Sequence, residues 1–374
     1  MTGQVEKRTA EAGTQQGSAL RVLRFAGAFA AWVIGSGFAT GQEILQFVAS
    51  FGYQSFAILI LLFVGFLVMG FTLMLSAYDH KGQEEFHHFR YFCGRIGLAY
   101  EWVVPFAQII PLSILLSGAG ATLYEYYGLN HTIGVFLMAT AVLITYYAGF
   151  ERLTSVVGLI GPVIILFSLF VGVFTLVRDI GNFQYIAEWE PLLSQKQNTS
   201  NWFVSGALYV SLNFVCGSVY YAELGRSAES RKEVTLGTGI GVLALVAIIA
   251  IMSTAILLNA GDAAALDIPT LFLATKISPA LGAVFSITLV LGIYSSAVTG
   301  MFVVITSFAA NIPFMASHIK GFAFLIAVIT FLIGVFSFGD LISIFYPLLG
   351  IMGGIFTICV FYRCIREVVK EELK

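Results

Sequence analysis

Between Trp32 and Leu45 the chain reads "WVIGSGFATGQEIL", with glycine at 35, 37 and 41 and a Gln42-Glu43 pair directly after. Each glycine weakens a helix by about 1 kcal/mol relative to alanine, so this run marks a place where a helix gives way. A break at Gly35-Ser36-Gly37 frees backbone amides at the start of the outer segment and carbonyls at the end of the inner one. The amides, backed by the positive end of a helix dipole, suit an anion such as a carboxylate. The carbonyls near Ala31 to Ile34 suit a cation. Glu43 adds an ionisable group with two roles open to it: a protonatable coupling residue, or a brace bonded to the freed backbone. The glycines also have a plainer use, which is to let neighbouring helices approach closely.

Three further stretches carry polar groups inside apolar runs. "SLNFVCGSVYY" holds Asn213, Phe214 and a Cys216-Gly217-Ser218 interruption, "LLSGAGAT" holds Ser117, and "IYSSAVTG" holds Ser295, Ser296 and Thr299 one turn after Gly292. Clustered hydroxyl and carbonyl oxygens suit a small hard cation, although serines in membrane helices also bond back to their own backbone. Phe38, Phe214, Tyr220 and Tyr221 flank the interruptions and are candidate gates or packing residues. Glu223 has Arg226 one turn on, and Glu101 and Glu125 fall toward opposite ends of one span. The loop "GQEEFHHF" lacks the spacing of a zinc-binding helix and reads as solvated, so no transition-metal site is expected. None of the four cysteines forms a CxxC pair, so neither a disulfide framework nor a zinc site is expected. An "NTS" triplet at 198–200 is too short a motif to carry weight.

The elements that hold these residues follow from composition. The 374 residues are 58% hydrophobic and 11% charged, with a mean hydropathy of +0.90, whereas soluble domains carry about 25% charged residues. The class is therefore an all-α polytopic membrane protein. A span needs about 20 apolar residues, and such runs occur near 21–50, 53–78, 97–128, 131–149, 153–177, 202–226, 233–258, 277–310, 319–337 and 340–362. Of the 19 Lys and Arg residues, all but Arg178, Lys196 and Lys276 then fall on one side. That bias places both termini in the cytoplasm and the chain in the cytoplasmic membrane. Residues 1–20 read as a disordered tail, 21–362 as a single transmembrane domain and 363–374 as a C-terminal tail. Spans three and eight are both long and spans one and six both interrupted, which suggests five-span repeats over about 21–177 and 202–362.

At "GSGFATGQE" the chain resembles the YkvI-type bacterial membrane proteins, a permease group within the amino acid–polyamine–organocation superfamily. The resemblance implies the LeuT-type fold, a 5+5 inverted repeat with discontinuous helices one and six. By position it implies a substrate carboxylate on Gly35, Ser36 and Gly37 beside Phe38. Its amino group would meet the backbone around Phe214–Ser218, including Cys216 and Gly217 and next to Asn213, with Ser117–Ala119 lining the pocket. A sodium ion would map to the carbonyls of Ala31, Ile34 and Gly292 and the hydroxyls of Ser295 and Ser296. Span five holds no lysine that could fill that space, as one does in some proton-coupled relatives.

No nucleotide-binding loop, nucleophile elbow or basic-aromatic patch occurs, so neither an enzyme nor a nucleic-acid partner is expected. The expected partners are a small solute and the bilayer. The expected activity is ion-coupled secondary transport of an amino acid or similar solute, by sodium symport with no cofactor beyond a bound sodium ion. Proton coupling through Glu43 is the alternative mechanism, and a non-transporting ligand sensor of the same fold is the alternative function.

Overall fold

A computed structural model describes residues 19–83, 86–149 and 154–372. The expected tail up to residue 18, Glu84 and Glu85 of the histidine loop, Arg152 and the last two residues lie outside the described residues. Helix α1 covers 19–33, followed by α2 (Ser36–Thr40), α3 (Gln42–Phe47) and a 3-10 turn, Ala49–Gln54. The long helices are α4 (Ser55–Asp79), α6 and α7 (Arg95–Ala107, Ile109–Tyr127), α8 (His131–Ala148), α9 (Thr154–Asp179), α11 (Trp202–Ser227), α12 (Arg231–Leu257), α15 (Pro279–Asn311), α17 (Ile319–Gly334) and α18 (Phe338–Glu372). Short helices α5 (His88–Cys93), α10 (Glu190–Ser194), α13 (Ala260–Ala263), α14 (Pro269–Ile277) and α16 (Pro313–Ser317) fill the connections. Eight helices among the described residues are long and apolar enough to cross a membrane. With the broken first span and the 16-residue α17 they account for the ten expected spans of a multi-pass membrane protein.

Local chemistry sets the helix starts. Asn130 and Asn201 each accept two backbone N–H groups from the first turns of α8 and α11, satisfying donors that would otherwise be orphaned. At α12 the Ser230 hydroxyl accepts from Glu233 N while the Glu233 carboxylate accepts from Glu229 N, a reciprocal cap. The 178–201 connection is structured: its α10 packs on the Ala49–Gln54 turn, and Asn198 of the "NTS" triplet accepts from the Ser205 hydroxyl. The residues from 363, expected as the C-terminal tail, continue α18 as far as Glu372.

The long helices sort into two packed groups, each with members from both halves of the chain. Helices α4, α11 and α12 pack together with α1 against them, and α7, α8, α15 and α17 form the second group. Helix α9 bridges α12 and α15, while α18 lies along α11 and α4. The α11 contacts are backbone-close: a Cβ on Gly225 would stand 2.5 Å from Met74 O, and one on Gly353 would overlap the Ser211 carbonyl. Outward-facing residues such as Ile60, Leu166, Val177 and Leu243 are exposed apolar groups, as a lipid-facing surface requires.

One expected feature is absent. Span six is not interrupted, because α11 runs as a helix from Trp202 to Ser227 straight through Cys216-Gly217-Ser218. The physical reason is a neighbour: a Cβ on Gly217 would overlap the Trp32 indole, so this glycine makes room for a ring rather than ending a helix. Ser218 bonds back to Val215 O at 3.0 Å and leaves the helix intact.

Both ends of the described chain lie on one face. Arg21 pairs with Glu229 at 3.3 Å, Arg231 with Asp79 at 3.2 Å, and Arg363 donates to Tyr91 O at 2.6 Å. On the opposite face Arg178 donates to Lys276 O at 3.2 Å and Lys276 to Asn259 at 2.7 Å.

Candidate functional site

Span one breaks where its glycines fall. Helix α1 ends at residue 33, Gly35 is extended (φ −89°, ψ −172°), and α2 starts from it with Ala39 N bonded to Gly35 O at 3.1 Å. After barely more than one turn Gly41 reverses the chain with φ +84°, a conformation glycine adopts without steric cost. The Thr40 hydroxyl donates to Gly37 O at 2.6 Å and accepts from Gln42 N at 3.3 Å, tying the two short helices together.

This break forms the blind end of a cavity of about 880 Å³. One wall is the break itself: Ala31, Trp32, Gly35, Gly37, Phe38 and Glu43. Helix α11 contributes Asn213, Cys216 and Tyr220, α15 contributes Ser295, Ser296 and Thr299, and α6–α7 contribute Tyr100, Gln108 and Leu112. At the mouth are Phe86 to Phe89 and Glu101, on the face that carries both chain ends. Beyond the break all six residues of α3 are buried. A polar chain holds that side together: Gln46 Nε2 donates to Gly339 O (2.8 Å) and Gly339 N to Asp267 (3.1 Å). The amides of Asp267 and Ile268 donate to Glu125 at 2.6 and 3.2 Å. Burial holds the Asp267 carboxyl above its usual range.

Glu43 is the ionisable group at the blind end, 8% exposed and accepting from the Tyr346 hydroxyl at 3.1 Å. Its carboxylate reaches back toward the break: a Cβ on Gly37 would lie 2.7 Å from Glu43 Oε1. Gly37 thus has a second task besides weakening the helix, which is to leave space for this carboxylate.

The expected site residues divide. Gly35, Gly37, Phe38, Asn213 and Cys216 line the cavity, as do Ala31, Ser295 and Ser296 of the expected ion site. Ile34 and Gly292 are buried outside its walls. Ser117 and Ala119 do not line it: Ser117 donates to Phe336 O at 2.8 Å on the flank of α7, and Ala119 lies a turn past the last cavity residue, Leu115. Phe214 is packed between Phe66 and Tyr221, and Gly217 and Ser218 sit within the unbroken α11. Of the candidate gates, Phe38 and Tyr220 reach the cavity, whereas Phe214 and Tyr221 are fully buried.

Other lining residues escaped sequence reasoning. Gln108, at the joint between α6 and α7, donates across to Cys216 O at 3.0 Å. A lone glutamine in "VVPFAQIIPL" is the signal that marks it. Tyr346 gives no comparable signal in an aromatic-rich chain. The histidine loop, expected to be solvated, instead walls the mouth: His87 pairs with Glu101 at 3.2 Å and Arg90 donates to the same carboxylate at 2.6 Å. His88 is buried, and its Nε2 meets no partner among the described residues.

Burial pushes the His88 imidazole from its ordinary 6.5 down to about 4. The unfolded ring takes up a proton near its ordinary value, so stability present above that value is lost as pH falls toward the folded one. The thermal midpoint of detergent-purified protein should drop between about pH 7 and about pH 4.5, and drop less in His88→Phe. An identical drop in that variant would assign it to other groups.

No protein-family model matches the chain. It is 25% identical over 324 residues to the uncharacterized membrane protein YkvI of Bacillus subtilis, covering 85% of this chain and 89% of that one. It is 22% identical over 331 residues to the uncharacterized protein YyaD of the same organism, covering 87% and 92%. Among solved structures, MhsT in complex with L-phenylalanine superimposes with a TM-score of 0.54 at 16% identity, over 88% of this chain and 87% of that one. The chain therefore shares the LeuT-type architecture of MhsT and extended sequence similarity with YkvI, and the reading of its cargo rests on the cavity's own residues.

Proposed function

We propose that this protein is an ion-coupled secondary transporter of a small amino-bearing solute of the amino-acid class, working by alternating access. The observation that carries the reading is a cavity walled by the broken helix and reaching Phe86 to Phe89 and Glu101 toward the face bearing the chain ends, with the wholly buried α3 beyond the break. A binding site at an interrupted span near the middle of the bilayer is the arrangement expected of such transporters. With both termini cytoplasmic, as the charge bias expects, the cavity faces inward. The solute's polar end would lie against Gly35, Gly37 and Glu43. Sodium would bind between Ala31 and Ser295-Ser296, which line the same cavity.

Uptake of labelled amino acids into proteoliposomes, with sodium and proton gradients imposed separately, tests this. Sodium-driven uptake is expected, falling about tenfold or more in the Ser295→Ala, Ser296→Ala double variant, equivalent to ~1.4 kcal/mol or more of lost ion binding. Uptake unaffected by that variant would remove the ion site. Proton-driven uptake abolished by Glu43→Gln would instead support the second mechanism, which the exposure of Glu43 to the cavity favours. Solute binding without uptake under either gradient would indicate a sensor.

A further inference from the structure

The charge balance of the cavity narrows its ligand. Among the described residues that line it are two carboxylates, Glu43 and Glu101, and no lysine or arginine. Glu101 is already engaged by Arg90 and His87 at the mouth, which leaves Glu43 as the carboxyl group facing the blind end. Several side-chain donors along the walls are engaged too. Gln108 Nε2 donates to Cys216 O (3.0 Å), Asn213 Nδ2 to Tyr209 O (2.8 Å) and Thr299 Oγ1 to Ser295 O (3.0 Å). His88 is neutral at physiological pH, burial having pushed it down to about 4. A ligand carboxylate brought to the break would meet Glu43, whose Oε1 stands 2.7 Å from the position a Gly37 Cβ would take. An ammonium brought there meets a buried carboxylate whose partner is the Tyr346 hydroxyl, in a cavity that Trp32, Phe38 and Tyr220 also line. Carboxylate and aromatic rings are the two groups that bind organic ammonium ions when water is excluded.

We infer that Glu43 is the ammonium-binding residue of this cavity, and that its preferred ligands are primary amines with an apolar or aromatic body, ahead of the amino acids that carry the same side chain. The inference rests on the cavity being the substrate site proposed above and specifies which end of the solute is read. The cavity of about 880 Å³ is walled mainly by apolar and aromatic groups, so the body contributes by burial and the amine by charge. In this arrangement the Tyr346 hydroxyl orients the carboxylate. Gly37 keeps the approach open.

Three probes sharing one aromatic body separate the contributions: 2-phenylethylamine, L-phenylalanine and phenylacetate, each titrated against purified full-length protein by calorimetry. The amine is expected to bind tightest and phenylacetate at least tenfold more weakly. In Glu43→Gln, isosteric but uncharged, the amine should lose about tenfold or more in affinity, the scale of a charge-assisted hydrogen bond. Phenylacetate should gain or stay level there. Phenylalanine or phenylacetate binding tighter than the amine to the wild-type protein would overturn the inference, and this arm requires no variant to fold. An unchanged amine affinity in Glu43→Gln would overturn it as well. Because the readout is binding, it is separable from transport. Amine binding without uptake leaves Glu43 assigned and sinks the transporter, whereas uptake of amino acids with no amine preference does the reverse.

Discussion

Replacing Gly41 by alanine is expected to destabilise the protein by ~2–5 kcal/mol, a sum of two physical costs. Gly41 has φ +84°, where a side chain strains against the following carbonyl by about 1–2 kcal/mol. The new methyl would also overlap the Thr270 hydroxyl and lie 3.2 Å from both Thr270 N and Ile256 Cδ1, and overpacking of this kind costs about 1–3 kcal/mol. A backbone atom is among the obstacles, so rotating one side chain cannot relieve the contact. The measurement is the thermal midpoint of purified protein beside a Gly354→Ala control. Gly354 lies inside α18 with open space at its Cβ position, and alanine there should be neutral or stabilising by about 1 kcal/mol or less. Equal midpoints for the two variants would mean that the turn at Gly41 is not a tight one.

The glycines of span one were legible because apolar runs on either side were each too short to cross alone. Composition and charge alternation were legible for a similar reason: they average over many residues, so the ten spans and the shared face of the chain ends come through. Single-residue meaning was harder. Gly217 in "CGS" looks like Gly35 in "GSG", yet one accommodates Trp32 and the other ends a helix. The difference lies in a ring supplied by a distant part of the chain. Ser117 and Ala119 were placed by span position, but the rotation of α7 and the depth of the cavity decide which residues face it. Leu112, Leu115 and Gln108 hold those places. His87 and His88 read as solvated because short polar loops usually are. His87 does stay exposed, whereas His88 is buried because α5 folds back against α6 and α18.

A second large effect is expected from Gly37→Ala, and its origin can be isolated. The added methyl would stand 2.7 Å from Glu43 Oε1, 3.8 Å from Glu43 Cδ and 3.9 Å from the Tyr346 hydroxyl. The carboxylate is the obstacle, and the oxygen in the way is the one that accepts from the Tyr346 hydroxyl, so making room disturbs that bond. A cost of about 1–3 kcal/mol follows from the lost bond and the crowding. In a Glu43→Ala background the obstacle is gone, so Gly37→Ala should then cost little. The double-mutant cycle should return a coupling of about 1–3 kcal/mol, a range typical of side chains in direct contact. A coupling near zero would mean that Gly37 is needed for its backbone alone. The cycle reads stability, so it holds whatever the cavity binds.

Helix α11 runs unbroken and is clamped along its length, by α4 through Gly225 and by α18 through Gly353. The two halves of this chain are therefore mechanically unlike. Where a symmetric pair of broken helices would share bending between them, here the compliance is concentrated between Ile34 and Gly41, with α11 serving as a stiff post. Any reorientation that exposes the blind end to the other face would turn on those few backbone torsions. It would also have to part Gln46 from Gly339, two positions separated by most of the sequence.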